Sequence, residues 1–145
     1  MATVYDVARY ITEAHGVMSA MKLQKLMYYA QAWHMVWEEE PLFTDDDFQA
    51  WANGPVLPSI YDKHRGQFKV DQSFFKEGDS TNLSDIEKEN IQKVLGFYGD
   101  KTAQWLSNLT HQEAPWLDAR GDTPVGAYSN EPITLSAIHE YYSSL

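Results

Sequence analysis

The side chains able to do chemistry in this chain are five histidines, two runs of carboxylates and one dense stretch of Trp, Gly, Pro and Tyr. His15, His34, His64, His111 and His139 are scattered, with no spacing that would set two of them on one metal ion. His111 and Glu113 are the one acid–base pair that a small hydrolase of unstated substrate could use, if a pocket gathered them. Pro115-Trp116 follows them directly, and the bland reading is that His111 and Glu113 order a turn. The chain has no Cys, which excludes a thiolate nucleophile, a thiolate metal site and a disulfide framework. No glycine-rich phosphate loop and no H-E-x-x-H occurs. A G-x-S-x-G nucleophile elbow is also lacking. Catalytic residues, a metal site and a cofactor are therefore not assigned.

The carboxylates form two runs, Glu38-Glu39-Glu40 and Asp45-Asp46-Asp47. A calcium loop needs alternating oxygen ligands around a central Gly, and three consecutive Asp do not supply them. The runs are either a solvated acidic edge or a patch facing a partner. Between Lys25 and Lys63 no Lys or Arg offsets them, and none follows Arg120. The net charge is −10. Phosphate backbones are bound through Lys and Arg, so direct binding of nucleic acid is not expected. A basic protein surface is the better complement, and Asp45, Asp46 and Asp47 would then speed its approach. The second candidate surface is Trp51 with Asn53-Gly54-Pro55 and Tyr61. Here a tight turn at Gly54-Pro55 could hold Trp51 and Tyr61 on one wall of a groove; equally, both rings could be core.

The elements that must position these residues are mostly helices. Val4, Val7, Ala8 and Ile11 make one apolar stripe after a Thr3 cap. Ser19 caps the strongest helix, about residues 20–38, with Leu23, Leu26, Met27, Ala30 and Trp33 on one face and Tyr28 and Tyr29 beside them. That distribution predicts a central helix packed on several sides. Pro58 opens a short helix to about His64, and Ser84 with Glu87 is a capping box for another. Further helices are expected over about 101–110 and after Thr134. The expected fold is α+β and predominantly helical: one compact domain over 1–145, about five to six helices, and a small β element near residues 42–75. No signal peptide and no apolar run near the roughly 20 residues of a membrane span is visible, so a cytoplasmic protein without membrane contact is expected.

The ordered series Lys22-Leu23-Gln24-Lys25-Leu26-Met27-Tyr28-Tyr29-Ala30-Gln31-Ala32-Trp33, then Pro41-Leu42-Phe43, then Ala50-Trp51 with Gly54-Pro55-Val56, Pro58 and Tyr61, resembles the Panacea-domain family. These are the phage-associated, GepA-like or SocA-like proteins. His111, Glu113, Pro115 and Trp116 resemble that family's H-x-E-x-P-W. The sequence departs from the pattern at Asn53, where many relatives are expected to carry an aromatic residue. The resemblance implies an antitoxin that neutralises a toxin protein by direct contact. One branch of the family resembles adaptors that deliver the toxin to a ClpXP-type protease. It implies no catalytic residue, and the motif residues from Lys22 to Trp33 and from His111 to Trp116 are expected to be structural.

Overall fold

The computed structural model describes residues 2–145. Helix α1, Val4–His15, begins in a capping box: Thr3 Oγ1 accepts from the Asp6 N–H, and the Asp6 carboxylate accepts from the Thr3 N–H at 3.0 Å. Gly16, at φ 93°, ends it. A two-residue strand, β1 (Met18–Ser19), follows, and Ser19 then caps α2, Ala20–Glu38, by accepting from Lys22 N–H at 3.1 Å.

Helix α2 is the centre of the molecule. Leu23, Leu26 and Met27 are fully buried, and so are the polar Gln24 and Lys25 on its flank. Burial on more than one side follows from what surrounds it. The helix packs on α1, on α4 (Asp85–Tyr98), on α5 (Ala103–Thr110) and on α7 (Leu135–Ser143). Two of its glutamines, seven residues apart and so on one face, clamp irregular chain to the helix. Gln31 accepts from Leu42 N–H at 2.7 Å and donates to Phe43 O; Gln24 accepts from Leu57 N–H at 2.8 Å and donates to Leu57 O. Each pair satisfies buried backbone N–H groups of irregular chain, at Leu42 and at Leu57.

The β structure is small. Strand β2 (Gln49–Trp51) pairs antiparallel with β3 (Gly54–Val56) in the register Ala50↔Pro55, Trp51↔Gly54. The turn is therefore Ala52-Asn53, two residues before the Gly54-Pro55 turn expected from the sequence, and Gly54-Pro55 lies in β3. Pro55 has no N–H to give the ladder, and the outer edge of β2 is covered instead by residues 131–133, through Ala50 N–H to Glu131 O and Ile133 N–H to Phe48 O, both 2.8 Å. The other sheet pairs β1 with β4 (Lys69–Val70). Between them stands α3, Pro58–His64.

Seven α-helices occur among the described residues, one more than the upper expectation. The addition is α6, Ala114–Arg120. Residues 111–116 read as a turn because of Pro115, but Pro115 occupies the first turn of α6, where its missing N–H has no intrahelical partner to lose.

Candidate functional site

Lys25 lies on the second turn of α2 and is wholly buried. Its stem passes over the hairpin at Gly54, where a Cβ would stand 2.6 Å from Lys25 Cε and 2.9 Å from Thr110 Oγ1. Only glycine leaves that space free, and the backbone there has φ 120°, which L side chains rarely adopt. The amine donates to Pro55 O at 3.2 Å, and no carboxylate pairs with it among the described residues. Burial pushes it down to about 7.

Two histidines stand near this amine. His64 Nε2 is 3.0 Å from Gln24 Nε2. Because Gln24 Oε1 is occupied by the Leu57 N–H, the amide nitrogen faces His64 and donates, so His64 Nε2 is the unprotonated ring nitrogen. Burial and, after it, the Lys25 charge lower the pKa of His64. His111 stacks on Trp116 with ring centroids 4.1 Å apart, and its buried Nε2 has no hydrogen-bond partner among the described residues. Its pKa is lowered by burial, then by Lys25 and Arg120.

A cavity of about 490 Å³ opens beside Lys25, walled by Asn53, Tyr61 and His64 on one side and by Met21, Gln104 and Ser107 on the other. Ser107 ties α5 to the hairpin tip by donating to Asn53 O at 2.5 Å. Phe68, 78% exposed, forms part of the rim. Trp51 stacks edge-on against Tyr61 at 4.9 Å and so braces one wall from behind. Trp116 Nε1 in turn donates to Trp51 O, and Arg120 reaches Ala50 O at 3.1 Å, so α6 fixes the hairpin from its far side.

The surface expected from the sequence is thus assembled in part. Asn53 and Tyr61 line the cavity, Trp51 braces it, and Gly54 and Pro55 hold its buried amine. Asp45 and Asp46 do other work. The Asp45 carboxylate accepts from Val4 N–H at 3.0 and 3.2 Å at the start of α1. Asp46 Oδ2 accepts from Ser59 N–H at 2.9 Å and from its hydroxyl at 2.6 Å at the start of α3. Helix α3 has no side-chain cap of its own, so Asp46→Ala is expected to lower stability by about 1–2 kcal/mol in chemical denaturation. Asp47 is exposed.

His111 and Glu113 do not form an acid–base pair. The Glu113 carboxylate accepts from Tyr29 at 2.6 Å and from Tyr142 at 2.7 Å, and Tyr142 also reaches Tyr28 at 3.1 Å. Burial raises the Glu113 pKa against the effect of those hydroxyls. No group of three His, Asp or Glu among the described residues could hold a metal ion.

The family profile described as antitoxin SocA-like, Panacea domain, matches residues 23–117, from the first turn of α2 into α6. The chain belongs to this family. Comparison with curated proteins and comparison with solved structures each give no match. Within the Panacea domain the motif residues have individual places. Lys22 donates to Gly99 O at 2.6 Å at the end of α4, Leu23 and Leu26 are core, and Trp33 donates to Tyr98 at 3.0 Å. Lys25 differs from these: it lines an open cavity. His64, Phe68, Gln104 and Ser107 are among the cavity residues that sequence reading missed, since no motif joins segments so far apart. Among the described residues no helix is long and apolar enough to cross a membrane.

Proposed function

We propose that this chain is the antitoxin of a toxin–antitoxin pair, acts in the cytoplasm, and neutralises its toxin by direct protein–protein contact without catalysing a reaction. The observation that carries this reading is the Panacea-domain match over residues 23–117. The geometry supports a binding surface. Phe68, at 78% exposure, stands on the rim of the cavity that Asn53 and Tyr61 line. Aromatic anchors around a depression are the usual carriers of interface energy. A net charge of −10 favours a toxin with a basic surface and steers its approach. The side chains of His111 and Glu113, the pair that a hydrolase would need, are engaged by Trp116 and by two tyrosines.

The test is co-expression with the product of the adjacent gene. The expected result is that the neighbour arrests growth alone, that growth is restored with this chain, and that the two proteins copurify with the toxin intact. Loss of the toxin in a protease-dependent manner would replace sequestration with delivery to a ClpXP-type protease. Absence of both binding and protection would refute the antitoxin reading.

A further inference from the structure

We propose that the cavity beside Lys25 receives an acidic side chain from the docking segment of the toxin, with Lys25 as its counter-ion. The proposal rests on the direct-contact reading above and names the chemistry of that contact. Three observations lead to it.

The first is the lack of a partner. A buried ammonium is normally paired with a carboxylate, yet Lys25 is wholly buried and makes a single hydrogen bond, to Pro55 O. An ammonium has three donors, so two remain to be filled. The second is the composition of the cavity. The chain carries 21 Asp and Glu residues, and none of them lines it. Lys25, His64, Gln104 and Ser107 do, with the hydroxyl-bearing Tyr61 and the amide of Asn53. In an acidic protein this depression carries a lysine and no carboxylate of its own, and its amide and hydroxyl side chains can donate to one. The third is the rim. Phe68 is exposed at the mouth. A polar floor beneath an aromatic rim fits a protein segment that lays apolar surface on the rim and directs one carboxylate inward. A free small acid would leave the rim uncovered.

The depressed pKa of Lys25 gives the arrangement a signature. In the free protein at pH 8 the amine is mostly neutral, because burial holds it at about 7. An arriving carboxylate favours the ammonium. Docking at pH 8 therefore takes up close to one proton.

The experiment is calorimetric titration of this chain with the purified product of the adjacent gene, in two buffers of different ionisation enthalpy at pH 8. Wild type is expected to bind with net proton uptake. Lys25→Met is expected to bind roughly 30–100-fold more weakly and without that uptake. It keeps the volume of the side chain and removes a buried charge, so it should melt no lower than wild type. Gln104→Trp, at an exposed position on the wall, should weaken binding while leaving Lys25 intact. Changing each Asp and Glu of the toxin to its amide in turn should find one position whose effect vanishes in the Lys25→Met background. If Lys25→Met binds with wild-type affinity, or no toxin carboxylate couples to it, the proposal is overturned and direct binding stands. If the wild-type proteins do not bind, the proposed function fails and takes this inference with it.

Discussion

Lys25→Met is expected to stabilise the folded chain at neutral and acid pH, and to lose that advantage as pH rises. The ammonium of Lys25 has an ordinary pKa of 10.5 and is held at about 7 by burial. The folded-state value is thus depressed. Above about pH 10.5 both states carry a neutral amine, and burial costs little on this account. As pH falls from there to about 7, the unfolded chain gains a proton that the folded chain does not, and wild-type stability declines. Below about 7 the folded state is protonated too, and the penalty stays at its full size. That penalty is on the order of 4 kcal/mol. Met fills a similar volume and has no charge to desolvate, and the lost hydrogen bond to Pro55 O offsets about 1 kcal/mol. Urea denaturation at pH 6, 8 and 10 should show a variant more stable by about 3 kcal/mol at pH 6, with the gap closing towards pH 10. A gap of constant size across this range would mean that Lys25 is not desolvated in the folded state. The pairing of this result with weakened toxin binding is what distinguishes a functional lysine from a structural one: a residue that lowers stability where it sits is retained for another reason.

The parts of the fold that depend on local pattern were legible from the chain alone. Leu23, Leu26, Met27 and Ala30 are buried on a central helix as their spacing requires, and Thr3, Ser19 and Ser84 cap the helices they precede. The misplacements arose where a residue has two local meanings. The segment from His111 to Trp116 read as a turn, but Pro115 lies in the first turn of α6, and Gly54-Pro55 read as a turn but lies in β3. Gly54 is required on two separate counts, its φ of 120° and the Lys25 Cε and Thr110 Oγ1 atoms that occupy the space of a Cβ. Asp45 and Asp46 look like surface charge in sequence. They do lie at the surface, Asp45 exposed and Asp46 half-buried, and their acceptors are also aimed at the N-termini of α1 and α3, contacts made across 41 and 13 residues. The cavity was least legible of all. Its walls come from the start of α2, the hairpin tip, α3 with the loop after it, and α5. Lys25 itself was visible within a motif, but its lack of a counter-ion is a property of the packed molecule, set by which carboxylates do not reach it.

Gly54→Ala is expected to destabilise the chain by about 3 kcal/mol, and that effect should depend on Lys25. Two costs combine. A backbone at φ 120° is open to glycine and strained for alanine, by roughly 1–3 kcal/mol. The new Cβ would also lie 2.6 Å from Lys25 Cε and 2.9 Å from Thr110 Oγ1, closer than packed atoms stand. Thr110 is fully buried and bonded to Ser107 O at 2.7 Å, so it cannot retreat freely. Lys25 can yield only by leaving Pro55 O. Overpacking of this kind typically costs 1–3 kcal/mol. Shortening the lysine separates the two costs. In a Lys25→Ala background the Cε atom is gone, and Gly54→Ala should cost about 1–2 kcal/mol less than in wild type. Residues in direct contact commonly couple by that much. The measurement is a double-mutant cycle by urea denaturation on the wild type, the two single variants and the double variant. Equal costs in both backgrounds would show that Lys25 does not lie across the hairpin, and would remove the floor from the site proposed for the toxin's carboxylate. A cost that falls with the shortened side chain would place the amine over β3, beside the cavity, in solution.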